Sequence, residues 1–329
     1  MRVIGVEEHF AIPGILAAWG KLDEDLRDLA YHASATGEVC DRLVDLGPLR
    51  IAAMDATGVD VQVVSHTAPG VQNLPAAEAV ALAREANDRL ADAVAAHPKR
   101  FQGFATVATP DPDAAAAELE RAVRKLGFQG GMVFGRTRDE YLDAPRFTPI
   151  LETAAALRAP LSLHPQSPLP AVRSSLYAGI SAEVDPALAT HGIGWHYEAG
   201  MQLIRLILSG VFDRLPDLQI IIGHWGEVVL FYLERLEHIA LAAGLPRTLR
   251  EYVRDHVWVS ASGMLSDRYL QWTCDVLGED RILFSTDYPF QAASRAGARA
   301  FLESADVSAE TRLGIGAANW DRMTSAIRR

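Results

Sequence analysis

Short runs rich in β-branched and aromatic residues recur along the chain, and between them apolar positions fall at helical spacing. The runs lie at 3–6, 61–65, 101–107, 130–134, 160–164, 218–222, 257–260 and 282–285. Helical stretches are predicted at 76–97, 113–126, 148–157, 201–212, 227–243, 266–277 and 308–327; in the second, Ala115, Leu119, Val123 and Leu126 share one face. Eight strand signals alternating with helices over 329 residues predict an α/β chain folded as a closed (β/α)8 TIM barrel. An open nucleotide-binding sheet would start with a glycine-rich turn after its first strand, where this chain has Glu7-Glu8-His9.

The alternation predicts a single domain over 1–329, broken by two excursions: about 10–50 after the first strand, and 166–199, rich in Pro, Ser and Gly, after the fifth. Both are expected as long loops, the kind that serve as lids, binding loops or oligomer contacts. A homodimer or homotetramer is the expected assembly.

Charge and cysteine usage narrow the partners. A formal net charge of -11 with no basic run gives no surface for neutralising phosphates, so no nucleic acid is expected. Two distant cysteines, Cys40 and Cys274, form neither a disulfide framework nor a cysteine zinc site, which suits a reducing cytoplasm. No apolar run approaches the roughly 18–20 residues needed to cross a bilayer, and Pro13 and Gly14 interrupt the early apolar stretch where a signal peptide would run unbroken. No membrane association is expected.

Acid and imidazole residues follow the strand runs. Glu7, Glu8 and His9 come after 3–6, His66 after 61–64, His164 after 161–163, His224 after 220–222 and Asp287 after 282–284. In a parallel barrel these strand ends open on one face, so the residues converge and make a divalent metal site. Period-two alternation turns Glu7 and His9 to the barrel interior and Glu8 away. Pro165 holds His164 extended. Gly223 and Gly226 allow close backbone approach around His224, and Glu227, three residues on, is read as orienting that histidine or polarising water. His66 is either a substrate contact or a hydrogen-bonded loop residue. His196, in the second excursion, is a candidate lid residue; His32, His97, His191, His238 and His256 are read as structural or surface residues.

Several segments carry a family resemblance over essentially the whole chain: Glu-Glu-His-Phe-Ala-Ile-Pro at 7–13, Thr-Ala-Pro-Gly-Val-Gln at 67–72, His-Pro at 164–165, Gly-His-Trp-Gly-Glu at 223–227, Phe-Ser-Thr-Asp-Tyr-Pro-Phe at 284–290, and Asn319. Together they resemble the amidohydrolase-related metal-dependent decarboxylases, most of all the γ-resorcylate (2,6-dihydroxybenzoate) branch, with 5-carboxyvanillate, salicylate and aminocarboxymuconate semialdehyde decarboxylases as wider kin. The resemblance implies that Glu7, His9, His164 and Asp287 ligate one divalent ion and that His224 and Glu227 act as a pair beside it. It also implies that Arg235 reaches the substrate carboxylate and that Phe290 packs near the ring. The Glu-x-His opening resembles the aromatic-acid branch, and an oxygen-rich ligand set with two imidazoles points to manganese first and zinc next. Phe134 and His66 stand at strand mouths as further substrate contacts, Phe134 where the dihydroxybenzoate enzymes carry a polar residue.

The implied reaction is non-oxidative decarboxylation of a small-molecule hydroxylated aromatic or enolic carboxylate, with Asp287 protonating the ring carbon that bears the carboxylate and no organic cofactor. The alternative is hydrolysis of an amide, lactone or ester by metal-bound hydroxide, with Asp287 as general base. A non-catalytic metal-stabilised barrel is the third reading, and the full ligand set argues against it.

Overall fold

The computed structural model describes residues 1–291 and 294–329. Eight parallel strands follow one another: β1 (Ile4–Phe10), β2 (Val61–His66), β3 in two pieces (Phe101–Gly103 and Ala105–Thr106), β4 (Gly131–Phe134), β5 (Leu161–His164), β6 (Ile220–Ile222), β7 (Val257–Ser260) and β8 (Ile282–Leu283). Each pairs with the next in parallel. Phe104 bridges the break in β3, donating to Val64 O at 2.9 Å before Ala105 donates to Gly130 O at 2.8 Å. Val6 N to Phe284 O at 2.9 Å and His9 N to Tyr288 O at 2.7 Å tie β8 and its following loop back to β1. The ring of strands is therefore closed, as the alternation predicts.

Period-two alternation sorts the strand residues into two cores. Ile4, Val6, Val63, Met132, Ile221, Trp258 and Leu283 fill the barrel, plugged from below by Trp320 and Met323. Val64, Val133, Leu161, Leu163, Ile220, Ile222, Val257 and Val259 face outward against the helices. The helix Pro112–Lys125 illustrates how the outer layer forms. Pro112 preorganises its first turn, Asp111 caps it by accepting from Ala114 N at 3.1 Å, and Arg124 and Lys125 complement its C-terminus. Its buried face carries Ala115, Leu119, Ala122 and Val123.

The segments that follow β1 and β5 are more helical than the long loops expected there. The first carries Pro13–Gly20, Ala30–Ser34, Gly37–Val44 and Pro48–Thr57. The second carries short helical turns and runs straight into Gly194–Leu208, so a helix expected to start at 201 begins seven residues earlier. Among the described residues no helix is long and apolar enough to cross a membrane.

Candidate metal centre and active site

A bulge in β1 aims the first two site residues. Ile4 and Gly5 pair with Val61 and Gln62, but Glu8 pairs with Val64, so β1 spends one residue more than its partner between Gly5 and Glu8. An extra residue inverts the alternation. Below the bulge Ile4 and Val6 face inward; above it Glu7 and His9 do, and Glu8 turns out. Glu8 is fully buried there, accepting from Thr286 N at 2.7 Å, Thr286 Oγ1 at 2.5 Å and Gln62 Nε2 at 3.1 Å, and so it fastens β1 to the loop that carries Asp287. Burial pushes its carboxyl up to about 7. Arg50, also fully buried, donates to the His9 carbonyl at 2.5 Å from outside the barrel.

The four residues read as ligands meet at the barrel mouth. Glu7, His9 and His164 each offer an atom within 4.8 Å of the others'. His164 Nε2 lies 3.5 Å from Glu7 Oε1, and His9 Nε2 lies 3.2 Å from Asp287 Oδ1. His164 Nδ1 donates to the Pro165 carbonyl at 2.7 Å; a carbonyl only accepts, so Nε2 holds the lone pair that faces the centre. Burial, with His9 and His224 alongside, keeps that imidazole well below its usual titration range and neutral. Glu7 is split the same way. Its Oε2 takes the Ser260 hydroxyl at 3.0 Å and the Ser262 hydroxyl, whereas Oε1 is buried without a hydrogen-bond partner, as are both ring nitrogens of His9. Burial raises the Glu7 carboxyl, and Asp287 beside it adds to the rise. Crowded carboxylates, orphaned acceptors and a neutral imidazole aimed at one point fit a divalent cation with mixed oxygen and nitrogen ligands. Gly223 makes room for this cradle, since a Cβ there would stand 2.8 Å from Glu7 Oε2 and against Ser262 Oγ.

Beside the centre, His224 and Glu227 sit on an unusual turn. His224, Trp225, Gly226, Glu227 and Val228 have φ of 48°, 57°, 94°, 49° and 60°, five consecutive left-handed residues of which only Gly226 adopts that conformation freely. Each non-glycine residue there costs about 1–2 kcal/mol, so surrounding contacts must over-determine the turn. Ser262 Oγ accepts from His224 N at 2.8 Å, Ser260 O from Trp225 N at 3.0 Å, and Met264 O from Trp225 Nε1 at 2.7 Å. The result directs both side chains to the mouth. His224 Nδ1 donates to Glu227 Oε1 at 2.5 Å, and a second histidine, His196, meets Glu227 Oε2 through its Nδ1 at 2.6 Å. Burial alone would lower His224, but the Glu227 charge and hydrogen bond, with Glu7 and Asp287 behind, raise it to about 10. Burial would likewise raise Glu227; His224 and His196 outweigh it and hold the carboxyl at about 2. His196, His224 and Glu227 also have metal-like spacing, which the two hydrogen bonds already explain.

A cavity of about 1180 Å³ opens above these groups, lined by His164, His224, Asp287, Phe290, Thr67, Ala68, Trp195 and His196, with both excursions forming its rim. Phe290 stands in the cavity wall, its ring 5.7 Å from that of His9. Three other expected contacts land elsewhere. His66 shares the outward parity of Val64, so its ring lies between Phe10 and Trp19 at 5.4 and 5.7 Å and its Nδ1 engages the Thr67 carbonyl at 2.9 Å; it is the hydrogen-bonded residue and not a cavity contact. Phe134 points inward against His164 at 5.6 Å, but Gly70, at φ 61°, lies across its ring, and Thr67 and Ala68 face the cavity instead. Arg235 is exposed and does not line the cavity. Its helix, Val229–Ala242, buries Leu233, and two residues turn a helix by about 200°, so Arg235 faces out. The arginine on the cavity rim is Arg268. His32 and His191, read as remote, also reach the rim. Trp195 and Arg268 were the contacts missed; His196, the candidate lid residue, lines the cavity. The available signal for Trp195 was Trp195-His196 standing about one to three turns before the apolar positions Ala199, Leu203 and Leu206 of a continuous helix.

A family model described as amidohydrolase matches residues 32–318. The chain belongs to the amidohydrolase family. Within that family it is similar to a gamma-resorcylate decarboxylase of Rhodococcus jostii (strain RHA1), 34% identical over 334 residues and 96% of each chain. Among solved structures, 5-carboxyvanillate decarboxylase of Novosphingobium aromaticivorans DSM 12444, complexed with manganese and 4-hydroxy-3-methoxy-5-nitrobenzoic acid, matches with a TM-score of 0.88 and 34% identity over 98% of this chain and 96% of that one. A dihydroxybenzoic acid decarboxylase of Polaromonas sp. JS666, with bound manganese and the inhibitor 2-nitroresorcinol, gives a TM-score of 0.85 and 32% identity over 100% and 98%. The span matched by the amidohydrolase model holds His164, His224, Glu227 and Asp287; the strand with Glu7 and His9 precedes it.

Proposed function

We propose that this amidohydrolase catalyses the metal-dependent, non-oxidative decarboxylation of a hydroxylated aromatic carboxylic acid. The observation that carries the reading is the convergence of Glu7, His9, His164 and Asp287, with Glu7 Oε1 and both His9 ring nitrogens buried without hydrogen-bond partners, in a chain 34% identical along 96% of its length to a gamma-resorcylate decarboxylase. Those four residues would hold one divalent ion, manganese by analogy with the neighbours that carry it, and zinc next. When bound, such an ion supplies Lewis acidity and a chelation point for a carboxylate and an adjacent hydroxyl.

The chain's own groups do the rest. Asp287 stands in the cavity wall on a left-handed residue, φ 57°, its backbone N–H held by Glu7 O at 3.1 Å, and Gln291 Nε2 reaches its Oδ2 at 3.3 Å. Held in this way, it takes up the proton that the substrate's adjacent hydroxyl gives up and delivers it to the ring carbon that bears the carboxylate. The protonated ring then takes up the electron pair of the breaking carbon–carbon bond, and loss of carbon dioxide restores aromaticity. His224, charged through Glu227, balances the anionic acid, and Phe290 and Trp195 flank the ring and exclude water. A mouth bordered by exposed Phe231, Tyr269 and Trp272 supports a homodimer or homotetramer, and free Cys40 and Cys274 suit the cytoplasm.

Turnover in deuterium oxide tests the reaction. The product should carry one deuterium at the carbon that lost carbon dioxide, and Asp287→Asn should lose more than the roughly hundred- to ten-thousand-fold usual for a general acid alone. Solvent oxygen in the product with no carbon-bound deuterium would instead establish hydrolysis.

A further inference from the structure

His196 has no part in the reaction as described, yet it contacts the pair beside the metal centre. Glu227 is 1% exposed and has two oxygens to satisfy. One is met by His224 Nδ1 at 2.5 Å, the other by His196 Nδ1 at 2.6 Å, and the two rings stand 4.7 Å apart at 63°. A carboxylate only accepts, so both Nδ1 atoms carry the proton. On the far edge of the His196 ring, Nε2 lies 3.2 Å from the His191 carbonyl. The ring is thus gripped on one side by the second excursion and on the other by Glu227.

The helix beneath His196 is built for the same contact. Gly200 lies one turn on, at i+4 and therefore on the same face, and a Cβ there would strike the Glu227 carbonyl oxygen. One face of Gly194–Leu208 therefore meets Glu227 twice, its backbone through Gly200 and its side chain through His196. The segment it meets is the left-handed turn 224–228, whose direction depends on the contacts around it.

We propose that His196 is a positioning residue: by holding Oε2 of Glu227 it presents Oε1 to His224, and because it rides on the helix that continues the second excursion, seating of that excursion and orientation of His224 are one event. Only the kinetic arm of the test rests on the decarboxylase reading. The hydrogen-exchange arm stands without it.

The test compares manganese-loaded wild type with His196→Phe, which keeps the ring but removes the donor, and His196→Asn, whose amide N–H replaces Nδ1–H. Hydrogen exchange read by mass spectrometry should show faster exchange, by about tenfold, in peptides covering 188–199 and 223–229 of the phenylalanine variant, with the asparagine variant close to wild type. With 2,6-dihydroxybenzoate as probe, kcat should fall about 10–100-fold in His196→Phe while KM stays within about threefold and manganese content is unchanged; His196→Asn should recover most of the loss. Unchanged protection at 223–229, an asparagine variant no better than phenylalanine, or loss of manganese would each overturn the proposal. If His196→Phe does not fold, His196→Gln replaces it: its amide reaches one bond too far, so it should show the same loosening in smaller measure, and wild-type exchange there would count against the proposal. A wild type inactive on every aromatic acid tried would refute the decarboxylase reading, and the exchange result would still decide the role of His196.

Discussion

Replacing Glu227 by Gln should remove a stability term whose size and pH range follow from the structure. His224 is raised from 6.5 to about 10 in the folded state, chiefly because Glu227 overcomes the cost of burial. A raised folded pKa contributes stability that is complete below about 6.5 and is lost as pH rises through about 10. The shift of about 3.5 units corresponds to about 5 kcal/mol at 1.36 kcal/mol per unit, of which about 4 kcal/mol remains at pH 7. That matches the roughly 3–5 kcal/mol for breaking a buried ion pair. Glu227 itself, lowered to about 2, stays ionised throughout this window. At about 2.1 cal/mol/K per residue the melting entropy of 329 residues is about 0.7 kcal/mol/K, so the substitution should lower Tm by about 6 °C at pH 7. The assay is calorimetry on chelator-treated protein at several pH values, because a bound cation would repel the imidazolium and add its own mass-action stabilisation. The gap between wild type and Glu227→Gln should narrow steadily from pH 6.5 to pH 9.5. A gap that is absent, or the same at both ends, would refute the assignment of His224 as a charged partner of Glu227.

Three further outcomes are expected. Wild type purified without added metal should contain close to one equivalent of manganese or zinc by elemental analysis, and His164→Ala should lose most of it; a metal-free, fully active wild type would remove the site. Gly223→Ala should also lower metal content, because the new Cβ presses on Glu7 and Ser262, and circular dichroism should show the fold retained. Phe134→Asn, which removes the ring packed behind His164, should reduce metal retention more than it changes the preference between mono- and dihydroxybenzoates; a switched preference with metal intact would put Phe134 in the cavity wall.

The barrel and the convergence of Glu7, His9, His164 and Asp287 were legible because acid and imidazole residues that an apolar core would reject follow the runs at 3–6, 161–163 and 282–284, and parallel closure brings such ends to one face. What stayed hidden depends on local departures from regular geometry. Alternation counted from Ile4 and Val6 would send Glu8 inward; only the bulge before Glu8 gives the inward places to Glu7 and His9. The alternation is unbroken in β2, and it sends His66 out to Phe10 and Trp19, so a polar residue at a strand mouth is no guarantee of the cavity. Five left-handed residues between β6 and the next helix set where that helix starts, and with it the outward face of Arg235. The helix that carries His196 was obscured by composition, since a Pro-, Ser- and Gly-rich excursion conceals that it has already begun at Gly194. For His66 and Arg235 the chemistry of the residue was visible and its direction was not; for Glu7 and His9 the direction was read correctly, but the bulge produces it. Direction comes from register, and register here is reset at the two places, β1 and the turn 224–228, where side chains must be turned toward the site.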